Sequence, residues 1–491
     1  MKKNYFFNLC LSISNLLFPI ISFPYVSKII GPNGVGKVQF ITSYAQYFGL
    51  IAALGIPVYG IREIAKNKHD RLKLNTVFSE LSVIYFFTSI ILTVVYFISI
   101  LCVTSFKADL NLYIWSASFI ILSFTSVDWF YEGLEQFKAV AIRSMLVRVG
   151  SLILMFILIK SGKDYFWYLM IMVITNIANN GINMLRLHKA VSLTFTGLSL
   201  KKHFKPLLYI FSTTIATSMY TMFDTVLLGL LANTHAVGLY TAAVKLSKIS
   251  LPIVVSSGMV LVPGLAKNLA AKNLKEVQKT LDKSFAFTSL ISIPICVGLA
   301  VLAPEFITAF SSVKFLDATF SMQIMALLPI IIGFGYFFGF QILVPDSKDK
   351  QMLFCVLGGV AASLVLNFVL VPRFEYLGAA LANVISELIV TILMFLYVKR
   401  LYDFTFRIRP IITATISSLI FVPIVTVLRF THVNNYLMLI TAIPACAMAY
   451  WLIQKLIFRQ PILKDVIEPF LHSKMVAVTA RLMLIKKKAY V

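Results

Sequence analysis

Carboxylates are scarce in this chain. Twenty Asp and Glu stand against 44 Lys and Arg in 491 residues, and charges of both signs make up only 13%. A soluble fold needs a polar, charged exterior, so a soluble enzyme or scaffold of this size is excluded. Cysteine is sparse too. Cys10, Cys102, Cys296, Cys355 and Cys446 stand singly, nearly all within apolar runs. No spacing among them suits a disulfide framework or a zinc site. The six histidines are equally scattered, none at ligand spacing from another His, Cys or carboxylate. Neither a metal nor a cofactor is expected. A small-residue cleavage site is also missing after the Met1-Lys2-Lys3 start. The apolar run that follows continues to about Ile30, too long for a signal peptide, and is expected to be an uncleaved first span.

What the chain has is apolar length. Hydrophobic residues make up 59%, and a helix crosses the hydrocarbon with about 20 of them. Fourteen segments can be marked: 5–30, 38–56, 76–103, 111–131, 140–160, 165–187, 207–231, 236–262, 283–303, 317–343, 352–371, 377–398, 411–430 and 436–456. Their runs are continuous rather than alternating, which selects helices over a barrel. The expected fold is an all-α integral membrane protein of about 14 transmembrane helices. It would comprise two pseudo-symmetric six-helix halves, 1–187 and 207–398, joined by a cytoplasmic linker at 188–206. Two further helices in 399–456 and a basic tail at 457–491 complete it. Even-numbered loops carry clusters such as Lys201, Lys202 and Lys205, whereas odd-numbered loops carry isolated cations such as Lys163 and Lys314. The excess is roughly fourfold, which places both termini in the cytoplasm. The net charge of +24 then sets topology and grips anionic lipid headgroups. Nucleic acid is not an expected partner, because no soluble basic domain exists.

One stretch argues for something else. "GPNGVGKV", residues 31–38, is a nucleotide phosphate loop except at its last position. A working loop needs a strand before it and a Ser or Thr for magnesium; here an apolar helix precedes it and Val38 takes the hydroxyl's place. The expected reading is a tight outer turn. Gly31 and Pro32 would stop one helix, and Gly34 and Gly36 would permit a reversal. The stretch also belongs to a weak repeat. "VGKVQF" at Val35 is followed by "AKN" at 65–67, and "VGLYTA" at Val237 by "AKN" at 266–268. Repeat-built membrane proteins commonly bind substrate between their halves.

Charges within spans are costly and need reasons. Asp128, Glu132 and Glu135 flank Trp129 and Tyr131, which suits interfacial anchoring. Lys28 and Arg143 have the stem length to snorkel to headgroups. Asp224 is expected to pair with Lys245 or to serve a gradient. Lys248 stands one turn from Lys245 on the same face. One Asp does not neutralise two lysines, so at least one cation should face a wet cavity. Lys28, Arg148, Lys245 and Lys248 are therefore the candidate cavity cations. Asp224 and Glu387 are the carboxylates placed to couple transport to an ion.

Several longer stretches resemble a known family. "SNLLFPIISFPYVSKIIGPNGVGKVQF", "GIPVYGIREIAKNK" at 55–68 and "DWFYEGLEQFKAVAIRS" at 128–144 look like Wzx-type polysaccharide flippases. So do "FDTVLLGLL" at 223–231, "VGLYTAAVKLSK" at 237–248 and "LGAALANVISE" at 377–387. Lys28 departs from the pattern, where Arg is more usual. The resemblance implies a member of the multidrug/oligosaccharidyl-lipid/polysaccharide exporter superfamily, and not an enzyme. Such a protein would carry undecaprenyl-diphosphate-linked oligosaccharide repeat units to the outer leaflet for O-antigen, capsule or exopolysaccharide synthesis. A glycan polymerase and a chain-length regulator would be its partners. The competing readings are a lipid II flippase, a drug/cation antiporter and a membrane glycan polymerase. An antiporter would favour an acidic cavity, and a polymerase would expose a large outer loop that this chain lacks.

Overall fold

A computed structural model describes residues 2–188 and 190–459. The basic tail predicted at 457–491 therefore lies outside the described residues beyond Arg459. Among the described residues every regular element is helical. Among the described residues nine helices are long and apolar enough to cross a membrane, or ten if the bent pair Thr104–Ile121 and Ser123–Gly133 forms one span.

Helix α1, Lys2–Ala53, runs through two of the predicted segments. Its 52 residues amount to about 78 Å of helix, more than twice the ~30 Å hydrocarbon. It is broken at one residue, Gly31, whose φ of 68° and ψ of −178° are outside the helical region and suit glycine alone. Helices α2 (Ile56–Asn67) and α3 (Arg71–Cys102) follow, then α4 (Phe137–Leu158), α5 (Tyr165–Leu187), α6 (Lys201–Leu231) and α7 (Thr234–Lys248). Helix α8, Asp349–Leu401, again covers two predicted segments and is broken at Glu375. Helix α5 is not one of the nine, and Asn176, Asn179, Asn180 and Asn183 fall within it.

The chain forms two compact units, neither contiguous in sequence. Of the described residues, the first contains those up to Lys245 with Ile307–Ser321 and Val356–Ser386; the second contains Leu246–Phe306, Met322–Cys355 and those from Glu387 to Arg459. In the first unit, α2, α3 and the stretch around Trp129 share a core. Trp129 is stacked on Phe78 with ring centroids 5.5 Å apart, and both are buried. Lys68 and Glu135 close the outside of this core at 2.9 Å. Two of the quoted motifs, 55–68 and 128–144, are thus packing partners. In the second unit, Leu274–Val301 packs against Leu328–Phe338 and Arg409–Ser418. There Ser284 donates to Gln341 at 2.5 Å, and Arg429 grips Glu305 through two nitrogens at 2.7 and 3.0 Å.

Candidate functional site

The stretch 31–38 has no phosphate-loop geometry. Gly34 and Gly36 are helical, so Gly31 alone makes the break. Lys37 is already engaged: its Nζ lies 2.8 Å from Asp109 and 5.0 Å from the Tyr165 ring centroid. Gly36 has a packing role that the turn reading missed. A Cβ there would collide with the carbonyl of Thr234, and a Cβ on Gly238 would collide with the carbonyl of Pro32. Each glycine sits against the carbonyl four residues before the other. The two "VG" copies of the sequence repeat meet here, backbone on backbone.

Asp224 gathers three of the quoted motifs. It is 3% exposed, on α6. Tyr240 of α7 donates to its Oδ2 at 3.1 Å, and Asn383 of α8 donates to the same oxygen at 2.6 Å. Its Oδ1 accepts from Ser363 at 3.1 Å and from Asn367 at 2.8 Å, both on α8. An ionised carboxylate only accepts, so both amides must turn their nitrogens toward it. Their oxygens face the other way, and Asn367 Oδ1 and Asn383 Oδ1 are buried without a hydrogen-bond partner. The result is a carboxylate ringed by four neutral donors, with two amide oxygens beside it that no described residue claims. The sequence pointed to Asp224 but not to its ring. Ser363 and Asn367, one helical turn apart in an otherwise apolar run, were the available signal.

Lys245 is not the partner of Asp224. Its ammonium lies over the ring of Phe23 on α1, 4.2 Å from the centroid. Phe23 is 1% exposed and stacks on Phe310 at 5.4 Å with 26° between planes. Among the described residues Lys245 makes no ion pair, and the same holds for Lys248, partly buried at the end of α7. Arg148 donates to Ser14 of α1 at 3.0 Å. Lys28 is exposed on α1, and Glu387 is partly buried on α8. Three of the four predicted cations therefore stand on or against α1, but at separate heights. Ser14 and Phe23 are about 14 Å apart along an ideal helix. They form no single cluster.

Two polar groups differ from the sequence reading. Arg143 does not snorkel: it is 3% exposed, and its two terminal nitrogens reach Asp128 at 2.8 and 3.1 Å. Asn183 also donates to Asp128, so Asp128 joins α4 and α5. His203 does meet a carboxylate. Its Nε2 lies 2.9 Å from Glu80 and its Nδ1 2.9 Å from the Tyr59 hydroxyl. Lys202 and the backbone N–H of Ser199 complete the shell of Glu80 at 2.7 Å each. Upstream, Asn75 and Ser79 of α3 accept the backbone N–H groups of Ser192 and Thr194 at 3.2 and 2.9 Å. The predicted linker is strapped along one helix.

The chain was compared with known proteins. A family described as "Polysaccharide biosynthesis protein" matches residues 1–269, and one described as "MatE" matches residues 210–370. The "Putative O-antigen transporter" of Shigella dysenteriae is 25% identical over 402 residues, covering 81% of this chain and 100% of that protein. The protein of the same name in Escherichia coli strain K12 is 22% identical over 406 residues, covering 81% and 97%. A solved structure titled "Lipid II flippase MurJ, inward closed conformation" superposes with a TM-score of 0.74 at 16% identity, over 93% of this chain and 99% of that one. That likeness establishes the fold.

Proposed function

This chain belongs to the polysaccharide biosynthesis protein family, and from that membership we propose that it flips lipid-linked oligosaccharide. Its substrate would be an undecaprenyl-diphosphate-linked repeat unit, moved from the inner to the outer leaflet of the bacterial cytoplasmic membrane. The O-antigen transporter relatives, matched over nearly their whole length, support the surface-glycan branch over lipid II. The observation that carries the chemistry is Lys245, a partly buried cation held against an aromatic ring and not against a carboxylate. A diphosphate crossing hydrocarbon needs such counter-charge. Lys28, Arg148 and Lys248 would act with it at other stages of the path.

In this reading α1 and α8 each cross twice, on either side of Gly31 and Glu375. The bent pair, α5 and α6 then bring the spans to about fourteen. Both termini lie in the cytoplasm. The halves 1–187 and 207–398 rock about each other to expose the cavity to each side in turn. Asp224, with Glu387 as the second candidate, binds the coupling proton or sodium ion. The flipped unit passes to a glycan polymerase and its chain-length regulator.

Deleting the gene tests this. Surface glycan should disappear, lipid-linked repeat units should accumulate on the inner leaflet, and peptidoglycan synthesis should continue. Arrested peptidoglycan with intact surface glycan would favour the lipid II reading instead.

A further inference from the structure

The Lys245 site poses a question of its own. A positive charge partly withdrawn from water is ordinarily met by a carboxylate. Here Asp224, the buried carboxylate of the adjoining helix α6, is directed elsewhere, taken up by Tyr240, Ser363, Asn367 and Asn383. The ammonium is given the face of Phe23. Such a contact is attractive within ~6 Å of the centroid, because the ring face carries the negative part of the quadrupole. It differs from a salt bridge in one respect that matters for an anionic ligand. A carboxylate cancels the charge and must be displaced, whereas a ring attracts the ammonium and leaves its full charge in place. The ring covers one side of a group with three N–H donors, so the others stay directed outward. The ring itself is fixed, fully buried and backed by Phe310. Beside it, Ser27 reaches the carbonyl of Ser311 at 3.5 Å, a second contact between α1 and the segment that carries Phe310.

We propose that Phe23, backed by Phe310, is a positioning residue that presents the Lys245 ammonium, still uncompensated, to the diphosphate of the lipid carrier. The inference rests on the reading of Lys245 as a substrate contact. It assigns to α1 a part in substrate recognition through a side chain that never touches the substrate. Leu or Ile at position 23 would fill the same space without holding the charge. Tyr or Trp would hold it.

The test changes the ring's electrostatics at nearly constant shape. In the full-length purified protein, Phe23 is replaced by phenylalanine carrying one, two or three ring fluorines, each of which weakens the negative face. The probe is farnesyl diphosphate, with farnesol as the uncharged control. Diphosphate affinity should fall stepwise with fluorine number to about tenfold in total, equivalent to about 1.4 kcal/mol. Farnesol binding and membrane abundance should not change. Phe23→Leu should match the trifluorinated protein, and Phe23→Trp should retain affinity. In a Lys245→Gln background the series should be flat. If Lys245→Gln weakens diphosphate binding but fluorination has no effect, Phe23 only fills space and the proposal is wrong. If Lys245→Gln itself leaves diphosphate affinity unchanged, the underlying reading of Lys245 fails instead.

Discussion

Removing the charge of Asp224 separates two accounts of this bundle. Its oxygens each accept two donors, Tyr240 and Asn383 on one, Ser363 and Asn367 on the other. In Asp224→Asn one of those oxygens becomes an NH2 group that confronts two donors. The Tyr240 hydroxyl can turn to accept, but the Asn383 amide nitrogen cannot. The charge-assisted bond from Asn383 is lost at about 1.5–3 kcal/mol, so about that much stability should go. Lys245→Gln should behave independently, because its contact is Phe23. The double mutant should then equal the sum of the singles within about 0.5 kcal/mol, as expected for sites without a shared partner. An Asp224–Lys245 ion pair would give the opposite pattern. Breaking one side would cost about 3–5 kcal/mol, and removing the other would restore most of it. The assay is the unfolding midpoint of the purified protein, with membrane abundance and glycan export, for wild type, both singles and the double. Recovery of midpoint and export in the double mutant would refute the four-donor account.

Lys37→Ala should leave transport largely intact, costing about 1 kcal/mol or less for the partly exposed pair with Asp109; purified protein should hydrolyse no ATP, and turnover that vanished in the mutant would contradict this. Gly36→Val should sharply lower membrane abundance, since its side chain would occupy the space of the Thr234 carbonyl; immunoblotting of membranes measures it, and normal levels would count against the crossing. His203→Leu leaves Tyr59 and Glu80 each short of a partner, at about 1–3 kcal/mol apiece. It should therefore lower the unfolding midpoint more than His203→Gln, which keeps two polar ends. Cysteine labelling at Lys202 and Lys314 should report opposite faces of the membrane, and labelling from the same face would defeat the topology.

Composition and run length were enough to read the helical class, because lipid leaves a chain this apolar few other folds. The motifs also led to Asp224, since charge stands out in an apolar segment. Its ring was harder to see. Ser363, Asn367 and Asn383 are individually unremarkable in a membrane helix, and only α8's approach to α6 brings them together. Distance along the chain hid the other pairs. Glu80 and His203 are 123 positions apart, and no local spacing joins them. The phosphate-loop stretch shows the converse. Its glycines were visible at once, but glycine serves sharp bends and close helix crossings equally. Only Gly31 is at a bend; Gly36 is at a crossing. The matching "VG" pairs were the one hint of that difference.

The reciprocity of that crossing has a consequence for descent. A contact in which Gly36 meets the turn before Gly238, while Gly238 meets the turn before Gly36, is the pattern of a two-fold dimer interface, where each copy offers the same patch to the other. If the repeat arose by duplication, a single unfused half would have made this contact with its own twin. One glycine codon would then have served both sides of the joint, and any larger residue would have clashed twice over. Fusion would then have freed the two positions to diverge, yet both hold glycine. The resemblance to a nucleotide loop is then an accident of neighbours: a lysine that went to Asp109 happens to follow a glycine retained for its lack of a side chain.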